Sequence, residues 1–299
     1  MRVGITGASG LIGTALTAHL TSNGHEAVAF VRRPAASPSQ ISWDPAAGRL
    51  DAKDLDGLDA VVHLAGAGIG DKRWSDGYKR EILESRTKST GLLAARMAEL
   101  DRKPTVFLSG SAIGIYGGTR GDEELDETSS YGSGFLADVC KDWEAATEAA
   151  ESAGIRTAHL RTGIVLSPEG GALKKQLPLF KFGLGGRFGS GRQWQSWISI
   201  TDEVRAIAHL LTSSLSGPVN LTAPTPVTNT DFTRILAGVV KRPAMLPIPG
   251  FGPKLLLGSE LADALLFTGQ RVVPNALVKD GFVFAHPTLD VALRNLLGK

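Results

Sequence analysis

The residues best placed to do chemistry stand near the start of the chain. Thr6, Gly7, Ser9, Gly10, Leu11, Ile12 and Gly13 join a short apolar strand to a helix through three evenly spaced glycines. A turn of this kind presents backbone N–H groups and the positive end of a helix to an anion, and the pyrophosphate of a dinucleotide fits that description. Gly7 takes the tight turn, Gly10 lets the backbone approach phosphate, and Gly13 lets the helix pack closely on the sheet. With 36 glycines in 299 residues the triplet is weak evidence by itself, and a glycine-rich turn that binds nothing is the alternative. Placement strengthens it: Val3-Gly4-Ile5-Thr6 reads as a buried strand, and Leu11, Ile12, Ala15, Leu16 and Leu20 keep one helical face apolar.

A second pair of residues bears on which dinucleotide. In this kind of fold an acidic side chain about 20 residues beyond the glycine turn bonds the adenosine ribose, and here that place holds Arg32 and Arg33. Guanidinium groups grip a 2′-phosphate and stack on adenine, so NADP is the expected cofactor, against a solvated arginine pair at a loop start. His63-Leu64-Ala65-Gly66 follows another strand and is expected to lay small residues beside the cofactor. Arg161 and Gly163 end a strand at the carboxyl edge of the sheet, where backbone contact with the nicotinamide is expected. Arg187, Arg192 and Trp197 sit in or beside a glycine-rich segment and are candidates for receiving an anionic substrate, a solvated loop being the plainer alternative.

The elements that must position these residues follow from periodicity. Strands are expected at 26–31, 60–64, 105–109 and 156–160, with helices over 75–100 and 135–153 between them. That alternation predicts an α/β fold, a doubly wound parallel Rossmann-type sheet with a smaller C-terminal substrate-side domain. We assign 1–161 and 202–224 to the dinucleotide-binding domain, and 162–201 and 225–299 to the smaller domain lining the substrate cleft. Asp202 reads as a helix cap rather than a catalyst.

Composition bounds the partners. A formal charge of +2 from 32 basic and 30 acidic residues spread along the chain argues against nucleic acid and membrane surfaces, leaving a small-molecule substrate. Cys140 is the single cysteine and the six histidines show no ligand spacing, so no disulfide and no bound metal are expected. No apolar run approaches a membrane span, and a cytoplasmic protein is expected.

Together, Thr6-Gly7-Ala8-Ser9-Gly10-Leu11-Ile12-Gly13, His63-Leu64-Ala65-Gly66, Ser109-Gly110-Ser111 with Ile115-Tyr116-Gly117, and Arg161-Thr162-Gly163 resemble the extended short-chain dehydrogenase/reductase superfamily. Phe135-Leu136-Ala137, Trp143-Glu144, Ser196-Trp197-Ile198, Asn220-Leu221-Thr222-Ala223-Pro224 and Gly269-Gln270-Arg271 narrow the likeness to a nucleoside-diphosphate-sugar epimerase-like branch with a C-terminal domain of unknown function. The resemblance implies hydride transfer and, by analogy, a homodimer. It also implies a Tyr-x-x-x-Lys pair, which this chain lacks: four residues beyond Tyr78, Tyr116 and Tyr131 lie Ile82, Arg120 and Phe135. If Glu144 marks the usual acidic position on that helix, Leu136 and Cys140 occupy the places of the pair. Ser109, Ser111 and Tyr116 are then the candidate catalytic residues, the tyrosine as a neutral acid, against a role in packing and turn formation. Two functions remain open, an NADP-dependent oxidoreductase or epimerase with an atypical site and a non-catalytic NADP-binding sensor or regulator.

Overall fold

In the computed structural model, which describes residues 1–244 and 246–299, the first strand β1 (Arg2–Thr6) runs through the glycine turn into helix α1 (Leu11–Ser22). There follow β2 (Glu26–Val31), β3 (Gln40–Ser42), β4 (Ala60–His63), α2 (Asp76–Ala98), β5 (Val106–Ala112) and the two-residue β6 (Glu124–Leu125). Next come α3 (Phe135–Ala145), α4 (Glu148–Ser152), β7 (Arg156–Thr162), β8 (Ile164–Leu166), α5 (Gly171–Lys181), β9 (Trp194–Gln195), β10 (Trp197–Ser199), α6 (Ile200–Thr212) and β11 (Gly217–Leu221).

Seven of these strands form one parallel sheet in the order β11-β7-β5-β4-β1-β2-β3. The order reverses between β1 and β4, so their carboxyl ends open a crevice at the point where such sheets bind ligands. All four residues of β4 are buried, as a strand covered by helices on both faces requires. Val3, Ile5, Val62 and Leu108 pack on one face with Leu16 of α1 and Ile207 and Leu210 of α6. Val28, Phe30, Val61 and Phe107 pack on the other with Leu93 and Met97 of α2. Each such fully buried aliphatic side chain contributes about 2 kcal/mol relative to exposure.

A further core gathers Leu173 and Leu177 of α5, Trp197, Phe232, Leu236 and the C-terminal Leu289 and Leu293. The C-terminal stretch does not all stay there: Leu277 and Phe282 return to the face of the sheet covered by α1 and α6. Two further departures from expectation have local causes. The helix expected over 135–153 breaks after Ala145, where the Thr147 hydroxyl donates to the Glu144 carbonyl at 2.7 Å and competes with the helical ladder. Strand β3 is a three-residue edge strand, too short and too polar to show a period. Among the described residues no helix is long and apolar enough to cross a membrane.

Candidate functional site

The glycine turn is built from the inside outwards. Gly7 adopts φ +65°, and a Cβ there would fall 2.9 Å from the carbonyl carbon of Leu64. A Cβ on Gly13 would lie 2.2 Å from the Gly7 oxygen, so this helix can start so close to the turn only with glycine. Gly10 differs: its added Cβ would meet only the Gly7 oxygen, at 3.2 Å, leaving the rest of its surroundings open. No side chain caps α1 and its first turn holds no acidic residue, so its leading N–H groups lack intrahelical partners and favour an anion.

Thr6 fastens this turn to the next strand. Its hydroxyl bonds His63 Nδ1 at 2.6 Å and accepts the N–H groups of Leu64 and Ala65 at 3.0 and 3.1 Å. His63 Nε2 meets Ser89 Oγ at 3.0 Å, and burial pushes the imidazole down to about 3, so it stays neutral. Thr6 and His63 therefore act as struts under the turn rather than on its ligand-facing side.

Above the carboxyl ends of β1, β4, β5 and β7 lies a cleft of about 360 Å³. Its walls include Gly7, Gly10, Leu11, Ile12, Gly13 and Leu64 on one side, Gly110, Ser111 and Trp143 in the middle, and Thr162, Ile164 and Val165 beyond. The open side of Gly10, the uncapped start of α1 and the short side chains around them fit the pyrophosphate of a dinucleotide. Trp143, Ile164 and Val165 are cleft residues that sequence reasoning missed. One signal pointed to Trp143: Gly110 sits between two serines because a Cβ there would fall 2.7 Å from Trp143 Cζ2.

Beneath the cleft runs a closed polar network. Ser111 donates to Glu144 Oε1 at 2.7 Å, and Arg161 grips the same carboxylate through Nε and Nη2 at 2.8 and 2.9 Å. Arg161 Nη1 also donates to the Tyr116 hydroxyl at 3.0 Å, which donates onward to Asn220 Oδ1 at 2.7 Å. Burial works against the Arg161 charge, and Glu144 outweighs it, holding the guanidinium above its ordinary value. Burial likewise raises Tyr116, and Arg161 offsets only part of that.

Several candidates therefore move. Tyr116 is fully buried with its hydroxyl committed on both sides, so it does not stand at the mouth of the strand as an acid. Ser109 is also buried, its hydroxyl donating to the Gly110 carbonyl at 3.5 Å, whereas Ser111 lines the cleft. The Arg161 side chain serves the ion pair rather than a cofactor, and the Gly163 amide is spent on the Leu221 carbonyl at 3.0 Å. Trp197 is fully buried, its indole donating to the Thr225 carbonyl at 3.1 Å, because its strand β10 closes the third core. Arg187 faces a separate cavity of about 390 Å³ with Arg234 and Arg242, and Arg192 is exposed on its loop. Burial drives the Cys140 thiol up to about 12, which leaves it inert. Arg32 and Arg33 are both exposed just past β2; Arg33 reaches Gln40 Oε1 at 3.3 Å, and no hydrogen bond engages the Arg32 side chain among the described residues. Ser9, Ala65 and Gly66 remain at or near the surface beside the turn.

Known proteins share this architecture. An epimerase family protein of Mycobacterium leprae is 46% identical over 292 residues, covering 97% of this chain and 94% of its own. The crystal structure of the human epimerase family protein SDR39U1 with NADPH superposes with a TM-score of 0.91 at 33% identity, over 100% of this chain and 99% of that one. A nucleoside-diphosphate sugar epimerase from Corynebacterium glutamicum gives 0.82 at 39% identity, with this chain spanning 58% of it. A domain of unknown function, DUF1731, matches residues 248–296. Residues 3–221, the whole sheet and its crevice, match the NAD dependent epimerase/dehydratase family, and the chain belongs to it.

Proposed function

We propose that the protein is an NADP-dependent oxidoreductase or epimerase that works by hydride transfer on a small polar or nucleotide-linked substrate. The observation that carries this reading is the glycine turn, open at Gly10 and uncapped at α1, with an exposed Arg32 just past β2 whose side chain makes no hydrogen bond among the described residues. The NADPH found with the human relative supports it. When bound, a nicotinamide dinucleotide supplies the hydride chemistry. Gly7, Gly10 and the leading amides of α1 hold the pyrophosphate, and Arg32 with Arg33 receives the 2′-phosphate. Ser111, whose hydroxyl hydrogen is committed to Glu144, is the oxygen in the cleft wall that can accept from a substrate hydroxyl and orient it.

One observation favours a second reading, a non-catalytic NADP-binding sensor. The chain has no Tyr-x-x-x-Lys pair and Tyr116 is locked inside the network, so the usual proton donor is missing. Titrating NADPH and NADH into wild type and Arg32→Ala, then following hydride transfer across carbonyl and sugar-nucleotide substrates, separates the readings. Binding with turnover supports the enzyme, and tight binding with none supports the sensor. Equal NADPH and NADH affinities unchanged in Arg32→Ala sink the NADP assignment.

A further inference from the structure

The arginines drawn into this molecule rely on different partners. Arg161 holds Glu144, and Arg156 donates to the carbonyls of Leu210, Leu211 and Leu215. Arg86 is half-buried on α2, where its Nη1 donates to the Ile82 carbonyl at 2.9 Å and its Cζ stands 5.0 Å from the centre of the Trp143 ring. Among the described residues the groups that face its charge are the Cys140 thiol and the Tyr78 phenol, and no carboxylate pairs with it. A guanidinium partly withdrawn from water without a counter-anion is destabilising, and part of that cost is recovered when an anion arrives.

Its neighbour is also unsatisfied. Trp143 lines the glycine-turn cleft at 7% exposure, and its indole N–H is buried with no acceptor among the described residues. Gly66, at the end of the strand opposite, leaves space for the guanidinium, since a Cβ there would come within 3.3 Å of Arg86 Cζ. Trp143 thus lines the same cleft as Ser111, and Arg86 stands against its ring with one guanidinium nitrogen on the Ile82 carbonyl and no carboxylate partner among the described residues.

We propose that Arg86 and Trp143 form an anion receptor for the substrate, so that this protein acts on a small carbonyl or alcohol compound carrying a carboxylate or phosphate group. The inference rests on the reading of the cleft as an NADP-dependent oxidoreductase site and adds the class of substrate. Arginine keeps its proton throughout, so Arg86 binds and orients charge and does not donate a proton. Stacking on Trp143 holds the planar guanidinium in place.

The test uses the full chain without cofactor. Oxalate and inorganic phosphate are titrated separately at constant ionic strength while intrinsic tryptophan fluorescence is followed, with Trp143→Phe identifying the signal. NADPH affinity is measured in parallel. Saturable binding of at least one anion is expected, weakened about tenfold or more in Arg86→Gln and partly restored in Arg86→Lys, with NADPH affinity changed less than about twofold. Whichever anion binds identifies the group recognised. Anion binding that is absent in wild type, or unchanged in a folded Arg86→Gln, overturns the proposal. A loss of NADPH affinity as large as the loss of anion affinity assigns Arg86 to the cofactor and overturns it too. Failure of NADPH to bind wild type would count against the proposed function and leave the anion titration to be judged by itself.

Discussion

Arg161 meets Glu144 with two nitrogens, Nε on Oε1 at 2.8 Å and Nη2 on Oε2 at 2.9 Å, and both side chains are buried. The pair ties β7 to α3 and hands one carboxylate oxygen to Ser111 in the cleft wall. An ion pair this enclosed holds its shape because either partner alone would be an uncompensated charge.

Removing one partner is therefore expected to cost more than removing both. Glu144→Gln should lower unfolding free energy by about 3–5 kcal/mol, and the double variant Glu144→Leu with Arg161→Met should recover most of that loss. Urea unfolding of the three proteins decides it. A single variant within about 1 kcal/mol of wild type would mean that the pair is solvated in solution.

The three glycines of the turn are not equivalent, and alanine tells them apart. Gly13→Ala places a methyl 2.2 Å from the Gly7 oxygen and should destabilise the fold by about 1–3 kcal/mol or more. Gly10 has φ −77°, which any residue adopts, and its added methyl meets only one atom, at 3.2 Å. Gly10→Ala should melt within a few degrees of wild type while losing about tenfold or more in NADPH affinity. Equal losses of stability in both variants would refute the distinction.

Much of this site was legible in the sequence, and the boundary of legibility is physical. The turn from Thr6 to Gly13 could be read because each glycine there answers a backbone demand that no other residue meets. Strands β1, β2, β4, β5 and β7 followed from short apolar runs, whereas the three residues of β3 carry no period. Tyr116, Arg161 and Trp197 misled because a polar or aromatic residue at a strand end looks the same in sequence whether it faces a cleft or a core. Glu144 stands 17 residues from Arg161 in the chain and Asn220 stands 104 from Tyr116, and the folded sheet brings each to its partner.

Buried acids give the stability an unusual pH dependence. Glu203 is fully buried on α6, accepts from Thr162 Oγ1 at 3.0 Å, and has its second oxygen unpartnered among the described residues. Burial pushes its carboxyl from 4.5 to about 8. Between those values the native state keeps a proton that the unfolded chain has released, so this group's contribution falls as pH rises, by at most about 1.4 kcal/mol per pH unit. His63 opposes it, because its lowered pKa makes stability rise with pH from about 3 to 6.5. The difference between wild type and Glu203→Gln isolates the glutamate. Wild type should lose ground to the variant from pH 5 to pH 8 in urea unfolding, and a flat difference would show Glu203 already ionised.

Tyr116→Phe separates structure from catalysis most directly. The hydroxyl accepts from Arg161 Nη1 and donates to Asn220 Oδ1, with the ring fully buried, so its loss leaves a buried donor and a buried acceptor unpaired. Unfolding free energy should drop by about 1–3 kcal/mol. Asn220 retains its bond to the Val273 carbonyl at 3.0 Å and Arg161 retains Glu144, so the frame of the cleft stays in place. Hydride transfer on any substrate the wild type accepts should then continue at a rate within a few fold of wild type. A loss of kcat of about 10²-fold or more, in a variant that still melts cooperatively and binds NADPH normally, would mean that the phenol reaches the reacting atoms. Tyr116 would then regain the role of acid, and the buried network would have to open during turnover.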